Sequence, residues 1–193
     1  SEGAIRINGI DIRNYDVMDL RSHLGVIPQK AFLFHGTIAD NIRFGKPDAT
    51  KEEIEHAAKV AQAYSFIMEK EHGFDEEITE SATNISGGQK QRLSIARALV
   101  RKPEIYIFDE ATSSVDRDSE DEIWRCINEL GLTRTLIIIS HRLSTIQRAD
   151  NIIVLNQGRL VEQGNHQALL KYHGEYYQLV KEQEALEAAG KVG

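Results

Sequence analysis

Residues Ile105, Tyr106, Ile107 and Phe108 run straight into two adjacent carboxylates, Asp109 and Glu110. Four apolar residues without alternation suit a strand covered on both faces, as in a parallel sheet flanked by helices. The carboxyl ends of such strands open onto a ligand crevice. Two neighbouring acids at that edge repel each other and lose hydration, so a cation or a reaction must justify them. Taken alone, the hexapeptide also admits a purely structural strand.

The rest of the chain supplies the partners of an α/β fold. Further strands are expected at 136–140 and 152–155, with a helix near 118–130 crossing between the first two strands. Near the start, residues 4–7 and 10–12 flank Asn8-Gly9 and read as a hairpin with a tight turn. Thr50 and Glu53 form a capping box, and Ile54, Ala57, Ala58 and Ala61 continue at helical spacing. Gln157-Gly158 turns into Arg159, Leu160 and Val161, and the tail from 176 to 189 is helical by propensity.

A second feature is Asn84-Ile85-Ser86-Gly87-Gly88-Gln89-Lys90-Gln91-Arg92, which opens a helix on two glycines. Ser86 and Gln89 suit a capping box, and that explains both of them. It does not explain Gly87 and Gly88, since glycine in a helix costs about 0.5–1 kcal/mol relative to alanine. Their expected use is to let a phosphate approach bare N–H groups at the positive end of the helix.

Together these segments resemble the ATP-binding cassette (ABC) family. Ser86-Gly87-Gly88-Gln89, with Arg92 and Ala96-Arg97-Ala98-Leu99, resembles its signature motif, Ile85 standing where Leu is usual. Asp109-Glu110-Ala111-Thr112-Ser113 is similar to the end of its Walker B strand, and Ser113-Ser114-Val115-Asp116 to its D-loop. His141 resembles the switch histidine, and Gln29 in Gly25-Val26-Ile27-Pro28-Gln29 the Q-loop glutamine. The motifs occur in the family's order, and flanking segments 4–12 and 152–166 extend the likeness over most of the chain.

The resemblance implies an α/β, P-loop NTPase-like cassette with an incomplete core sheet and an α-helical signature subdomain. Residues 1–30 would form a partial N-terminal sheet and Q-loop, 31–100 the helical subdomain, and 101–193 the core with C-terminal helices. It implies ATP and Mg2+ as ligands, with Asp109 and Gln29 on the metal and Glu110 polarising the attacking water. His141 would sense the γ-phosphate, although a lone histidine is more often structural. Ser86, Gly87, Gly88 and Gln89 would serve a nucleotide held mainly by a second cassette, homologous or identical. Asp116 either caps the next helix or acts across that dimer interface. The apolar run 32–42 either packs in the core or, as in exporter-type cassettes, meets a transmembrane domain on the cytoplasmic side of the membrane. Glu80 resembles an acidic residue of the exporter loop ahead of the signature, though Thr79 and Ala82 replace its usual glycines.

No Gly-x-x-x-x-Gly-Lys-[Ser/Thr] phosphate loop occurs. Gly45-Lys46 is followed by Pro47, and Gly190-Lys191 by Val192, where a hydroxyl is needed. In the family that loop precedes 4–12, so the expectation is a cassette truncated at its N-terminus. Losing three charge-assisted hydrogen bonds removes at least about 4.5 kcal/mol, or about three decades in affinity. The chain alone is therefore expected to bind ATP weakly and to leave it unhydrolysed.

Composition narrows the alternatives. A net charge of -7 argues against a nucleic-acid surface. The single cysteine, Cys126, forbids an internal disulfide and fits a reducing compartment. No apolar run approaches the ~20 residues of a membrane helix. An exporter ATPase domain is favoured over a soluble ABC ATPase of DNA or ribosome work, and over a non-catalytic docking module. Loss of the phosphate-loop strand would also expose sheet edges and favour self-association.

Overall fold

The computed structural model describes residues 3–79, 82–188 and 190, so Glu80 of the expected acidic loop lies outside the described residues. Two units are divided between Ile139 and Ser140. The first begins with the expected hairpin, β1 (Arg6–Ile7) against β2 (Ile10–Asp11), turning through Asn8 and Gly9 at φ 50° and 81°. Both turn positions need positive φ, which Asn-Gly tolerates. Helix α1 (Val17–Ser22) is capped by Asp16, whose carboxylate accepts from the N–H groups of Met18 and Asp19. It leads into β3 (Leu24–Ile27).

A mainly helical stretch follows. Strand β4 (Gly36–Thr37) runs into α2 (Ile38–Arg43), then come α3 (Lys51–Val60) and α4 (Tyr64–Met68). Strand β5 (Glu77–Ile78) pairs antiparallel with β4, and α5 (Gly87–Leu99) closes the stretch. Reciprocal capping boxes start three of these helices: Thr37 with Asp40, Thr50 with Glu53, Ser86 with Gln89. Each side-chain cap is worth about 1 kcal/mol. The helices bury Ile38, Ile42, Ile54, Ala58, Leu93 and Ile95 in one core. Arg97 braces the assembly from inside. Its guanidinium donates to the Asn41 carbonyl (2.8 Å), Asn41 Oδ1 (2.9 Å) and the Phe32 carbonyl (2.8 Å). Burial pulls its pKa down, and the three acceptors keep the charge satisfied.

The sheet that positions the acids has β6 (Ile105–Asp109) between β3 and β7 (Thr135–Ile139), all parallel. Helix α6 (Arg117–Gly131) connects β6 to β7. On one face Ile27 and Phe108 are fully buried and Tyr106 nearly so. On the opposite face Ile105 and Ile107 of β6 are only half-buried, which falls short of the expected strand covered on both sides, and the flanking strands are more open still. Val26, Ile137 and Ile139 are 56%, 47% and 50% exposed there. The apolar run shows what the sheet can bury, and this face lies open because no described element of the unit covers it.

The second unit contains α7 (Leu143–Ile146) and the hairpin β8 (Ile152–Asn156) with β9 (Arg159–Gly164). Helices α8 (His166–Tyr172) and α9 (Glu175–Ala188) follow. Its own core gathers Ile152, Val154, Leu169, Tyr176 and Val180. Glu162 is buried and accepts hydrogen bonds from the N–H groups of Glu175 and Tyr176, so its carboxylate caps α9.

Candidate functional site

Strand β6 delivers Asp109 to the exposed end of the sheet, with the half-buried Glu110 next in the chain. Glu110 sits at φ 46°, a left-handed conformation that costs a non-glycine residue about 1–3 kcal/mol. Neighbours hold it there: its N–H donates to the Ile139 carbonyl (2.9 Å), and its carbonyl accepts from the Ser113 N–H (3.1 Å). Because Ile27 lies in register beside Phe108, the chain leaving β3 passes the acid end. Gln29 Nε2 there donates to Glu110 Oε2 at 2.5 Å, joining residues 81 apart in sequence. The strand pairing thus brings Gln29, Asp109 and Glu110 to one edge.

At the start of α5, the Ser86 hydroxyl accepts from the Gln89 N–H (3.3 Å), and Gln89 Oε1 accepts from the Ser86 N–H (3.0 Å). The plain cap is therefore formed, and the Ser86 hydroxyl still has its proton to donate. The two glycines separate. A Cβ on Gly87 would meet nothing within 4 Å, leaving the positive end of the helix open. A Cβ on Gly88 would lie 2.8 Å from the Ser114 carbonyl oxygen, so Gly88 is needed for packing whatever else it does.

Asp116 also has a structural task. Its Oδ1 accepts from the Ser119 N–H (2.9 Å), capping α6, and Oδ2 lies 3.1 Å from Arg92 Nη1. Hydrogen bonds from Ser119, its N–H foremost, hold its carboxyl below the usual carboxylate range, with the Arg92 charge the smallest contribution. Arg92 also donates to Ser119 Oγ (2.9 Å) and stacks over Phe66 at 5.2 Å, with its Nε buried and unpartnered. Through Gly88 and Arg92, α5 is thus keyed to the turn after β6. His141 belongs to the second unit, exposed beside Ser140, whose Oγ accepts from the Arg142 N–H (3.0 Å).

Two buried polar residues near the site escaped the sequence reading. Gln91 is 2% exposed and donates from Nε2 to the Pro28 carbonyl (3.0 Å), next to Gln29. Glu120 is buried and accepts from Thr112 Oγ1 (2.6 Å) and Trp124 Nε1 (3.3 Å). A signal existed for Glu120: it shares helical spacing with the apolar Ile123, Trp124 and Ile127. The rejected Gly45-Lys46 pair also finds its explanation. Lys46 Nζ lies 2.6 Å from Glu53, and a Cβ on Gly45 would strike the Arg97 carbonyl at 2.0 Å.

As a donor set, two carboxylates and a carboxamide offer oxygen ligands suited to a hard cation such as Mg2+. Among the described residues no group of three or more His, Cys, Asp and Glu gathers at metal-binding distances.

Comparison with known proteins places this arrangement. The ABC transporter family model matches residues 1–113, more than half of the chain. A lipid A-core flippase of Desulfotalea psychrophila, described as ATP-dependent, is 47% identical over 91% of this chain and 31% of the flippase. A putative multidrug export ATP-binding/permease protein of Bacillus subtilis is 45% identical over 93% of this chain and 31% of its own length. The solved structure of a bacterial Atm1-family ABC exporter with ATP bound superposes with a TM-score of 0.90. It is 44% identical and covers 94% of this chain and 32% of the exporter chain. The chain spans about a third of the length of these relatives. With that breadth of identity behind the fold and the motif order, the chain belongs to the ABC transporter family and has the ABC cassette fold.

Proposed function

We propose that this chain is part of the ATP-hydrolysing domain of an exporter, on the cytoplasmic side of a membrane. The observation that carries the reading is the hydrogen bond from Gln29 to Glu110 at the end of β6. It aims one oxygen of a carboxylate held in a fixed backbone conformation, as a group that must accept a proton from water requires. Asp109 and Gln29 would hold Mg2+ by oxygen. Bound Mg2+ neutralises phosphate charge and orients the nucleotide. Glu110 takes the proton of the attacking water, and Ser86 with the open N–H end at Gly87 receives phosphate of a nucleotide held by a second cassette. Gln89 holds Ser86 in place, Asp116 holds the adjoining turn, and His141 contacts the γ-phosphate.

Phe32, Phe34 and Phe44 form an exposed aromatic group, with ring centroids 5.3 and 4.5 Å apart, beside Arg97. An apolar patch set on a rigid base is suited to a partner surface, here the transmembrane domain of the exporter. No described helix is long and apolar enough to cross a membrane. The relatives named above support export over work on DNA or ribosomes.

The test is Mg-ATP calorimetry on this chain alone and joined to an upstream phosphate-loop segment. Binding is expected only in the joined form. In that form Glu110→Gln should lower turnover by about 10²–10⁴-fold while leaving ATP affinity in place. Tight binding by the chain alone, or unchanged turnover by the variant, overturns the reading.

A further inference from the structure

We propose that Glu120 is a positioning residue: through Thr112 it fixes the turn that sets both Glu110 and the Ser114 carbonyl. The inference rests on the ATPase reading above and adds to it the device that holds the acid end in place. A buried carboxylate is costly unless its oxygens are satisfied, so its position is informative. Glu120 Oε1 accepts from the Thr112 hydroxyl at 2.6 Å and from the Trp124 indole N–H at 3.3 Å. Thr112 is 4% exposed and lies two residues after Glu110 and two before Ser114.

The turn around Thr112 is short and tightly connected. Its carbonyl accepts from the Val115 N–H (3.0 Å), and the Glu110 carbonyl accepts from Ser113 (3.1 Å). Displacing Thr112 would therefore move the residues on both sides. On one side is Glu110, at φ 46° and bonded to Gln29. On the other is Ser114, whose carbonyl fits against Gly88 with no room for a methyl. Trp124 completes the brace, because its ring packs on Phe108, the residue before Asp109, at a centroid distance of 5.4 Å. One carboxylate on α6 thus holds the turn and, through the indole, the strand that enters it.

Trp124 is the only tryptophan, so its emission reports on Glu120 directly. The experiment compares Thr112→Val, which keeps the shape and removes the donor, with Thr112→Ser, which keeps the donor. In the full-length protein that carries this chain, Thr112→Val should lower kcat about 10- to 100-fold with KM for Mg-ATP within about twofold. Thr112→Ser should restore kcat. In the chain itself, Thr112→Val should shift the Trp124 emission and Thr112→Ser should return it. Wild-type kcat in Thr112→Val, or failure of Thr112→Ser to restore it, overturns the proposal. If the wild-type protein hydrolyses no ATP, the functional reading fails. The emission arm then still decides: a shift restored by serine supports the brace, and unchanged emission refutes it.

Discussion

The two glycines at the start of α5 give predictions of opposite sign. At Gly88, a methyl would sit 2.8 Å from a backbone oxygen, that of Ser114. A side-chain tip could rotate away, but this carbonyl belongs to a turn closed by the Thr112–Val115 hydrogen bond. Something must yield by several tenths of an ångström, and overpacking of this kind costs about 1–3 kcal/mol. Alanine's better helix propensity returns about 0.5–1 kcal/mol. The net loss for Gly88→Ala is then at most about 2.5 kcal/mol and about 1 kcal/mol at mid-range, which lowers Tm by roughly 2–4 °C in a protein of this size. At Gly87 the methyl meets nothing, so only the propensity gain remains and Tm should rise by about 1–4 °C. Thermal unfolding of the two variants side by side checks this. If Gly88→Ala proves as stable as Gly87→Ala, the Ser114 contact does not exist and the account of Gly88 is wrong. Joined to a phosphate-loop segment and mixed with an intact cassette, Gly87→Ala should lose ATP-dependent association despite its higher Tm.

Two further outcomes are expected. The Lys46 ammonium, the Thr50 N–H and Lys102 hold the Glu53 carboxyl at about 2, against an ordinary 4.5. A depressed carboxylate stabilises above its unfolded pKa and loses that contribution as pH falls through its folded one. Stability should thus decline between pH 4.5 and about 2, and Glu53→Gln should flatten that part of the pH–Tm profile; an unchanged slope rules out this pairing. The outer edge of β7 and the open face at Val26, Ile137 and Ile139 should make the chain self-associate at high concentration. Sedimentation should show this, and Ile139→Lys should suppress it; a strictly monomeric wild type contradicts the expectation.

What could be read from the sequence was local. The boxes at Thr50 and Ser86 and the turn at Asn8-Gly9 depend on residues at most three apart. The Gln29–Glu110 contact spans 81 residues, so only motif order hinted at it and strand register had to supply it. The packing task of Gly88 was hidden for the same reason: its partner is the carbonyl of Ser114, and a main-chain oxygen leaves no mark on residue choice. Glu120 leaves a faint trace, since a glutamate in a helix is ordinarily solvated and only its place on the apolar stripe of α6 marks it as buried. The open sheet face shows a different limit. Apolar patterning records which surfaces favour burial, whereas coverage depends on what else the chain supplies.

Helix α5 links these features into one mechanical element. From the Ser86 cap to Arg97 is eleven residues, or roughly 16 Å at 1.5 Å each. One end carries the open N–H groups at Gly87, and the other carries the guanidinium that supports Phe32 and Asn41. Between them Gln91 grips the Pro28 carbonyl, so a shift of the helix is passed to Gln29 and from there to Glu110. This coupling is measurable as a free energy. Gln91→Leu leaves the Pro28 carbonyl without its donor, at about 1–3 kcal/mol if that oxygen stays dry. Gln29→Ala removes the bond to Glu110 directly. If Gln91 holds the loop that aims Gln29, the double variant should lose less stability than the two single losses combined, by at least about 0.5 kcal/mol. Urea unfolding of the four proteins gives that difference. Losses that add within about 0.3 kcal/mol would mean the two glutamines act independently, and α5 would then reach the acid end only through Gly88 and Arg92, not through the loop that carries Gln29.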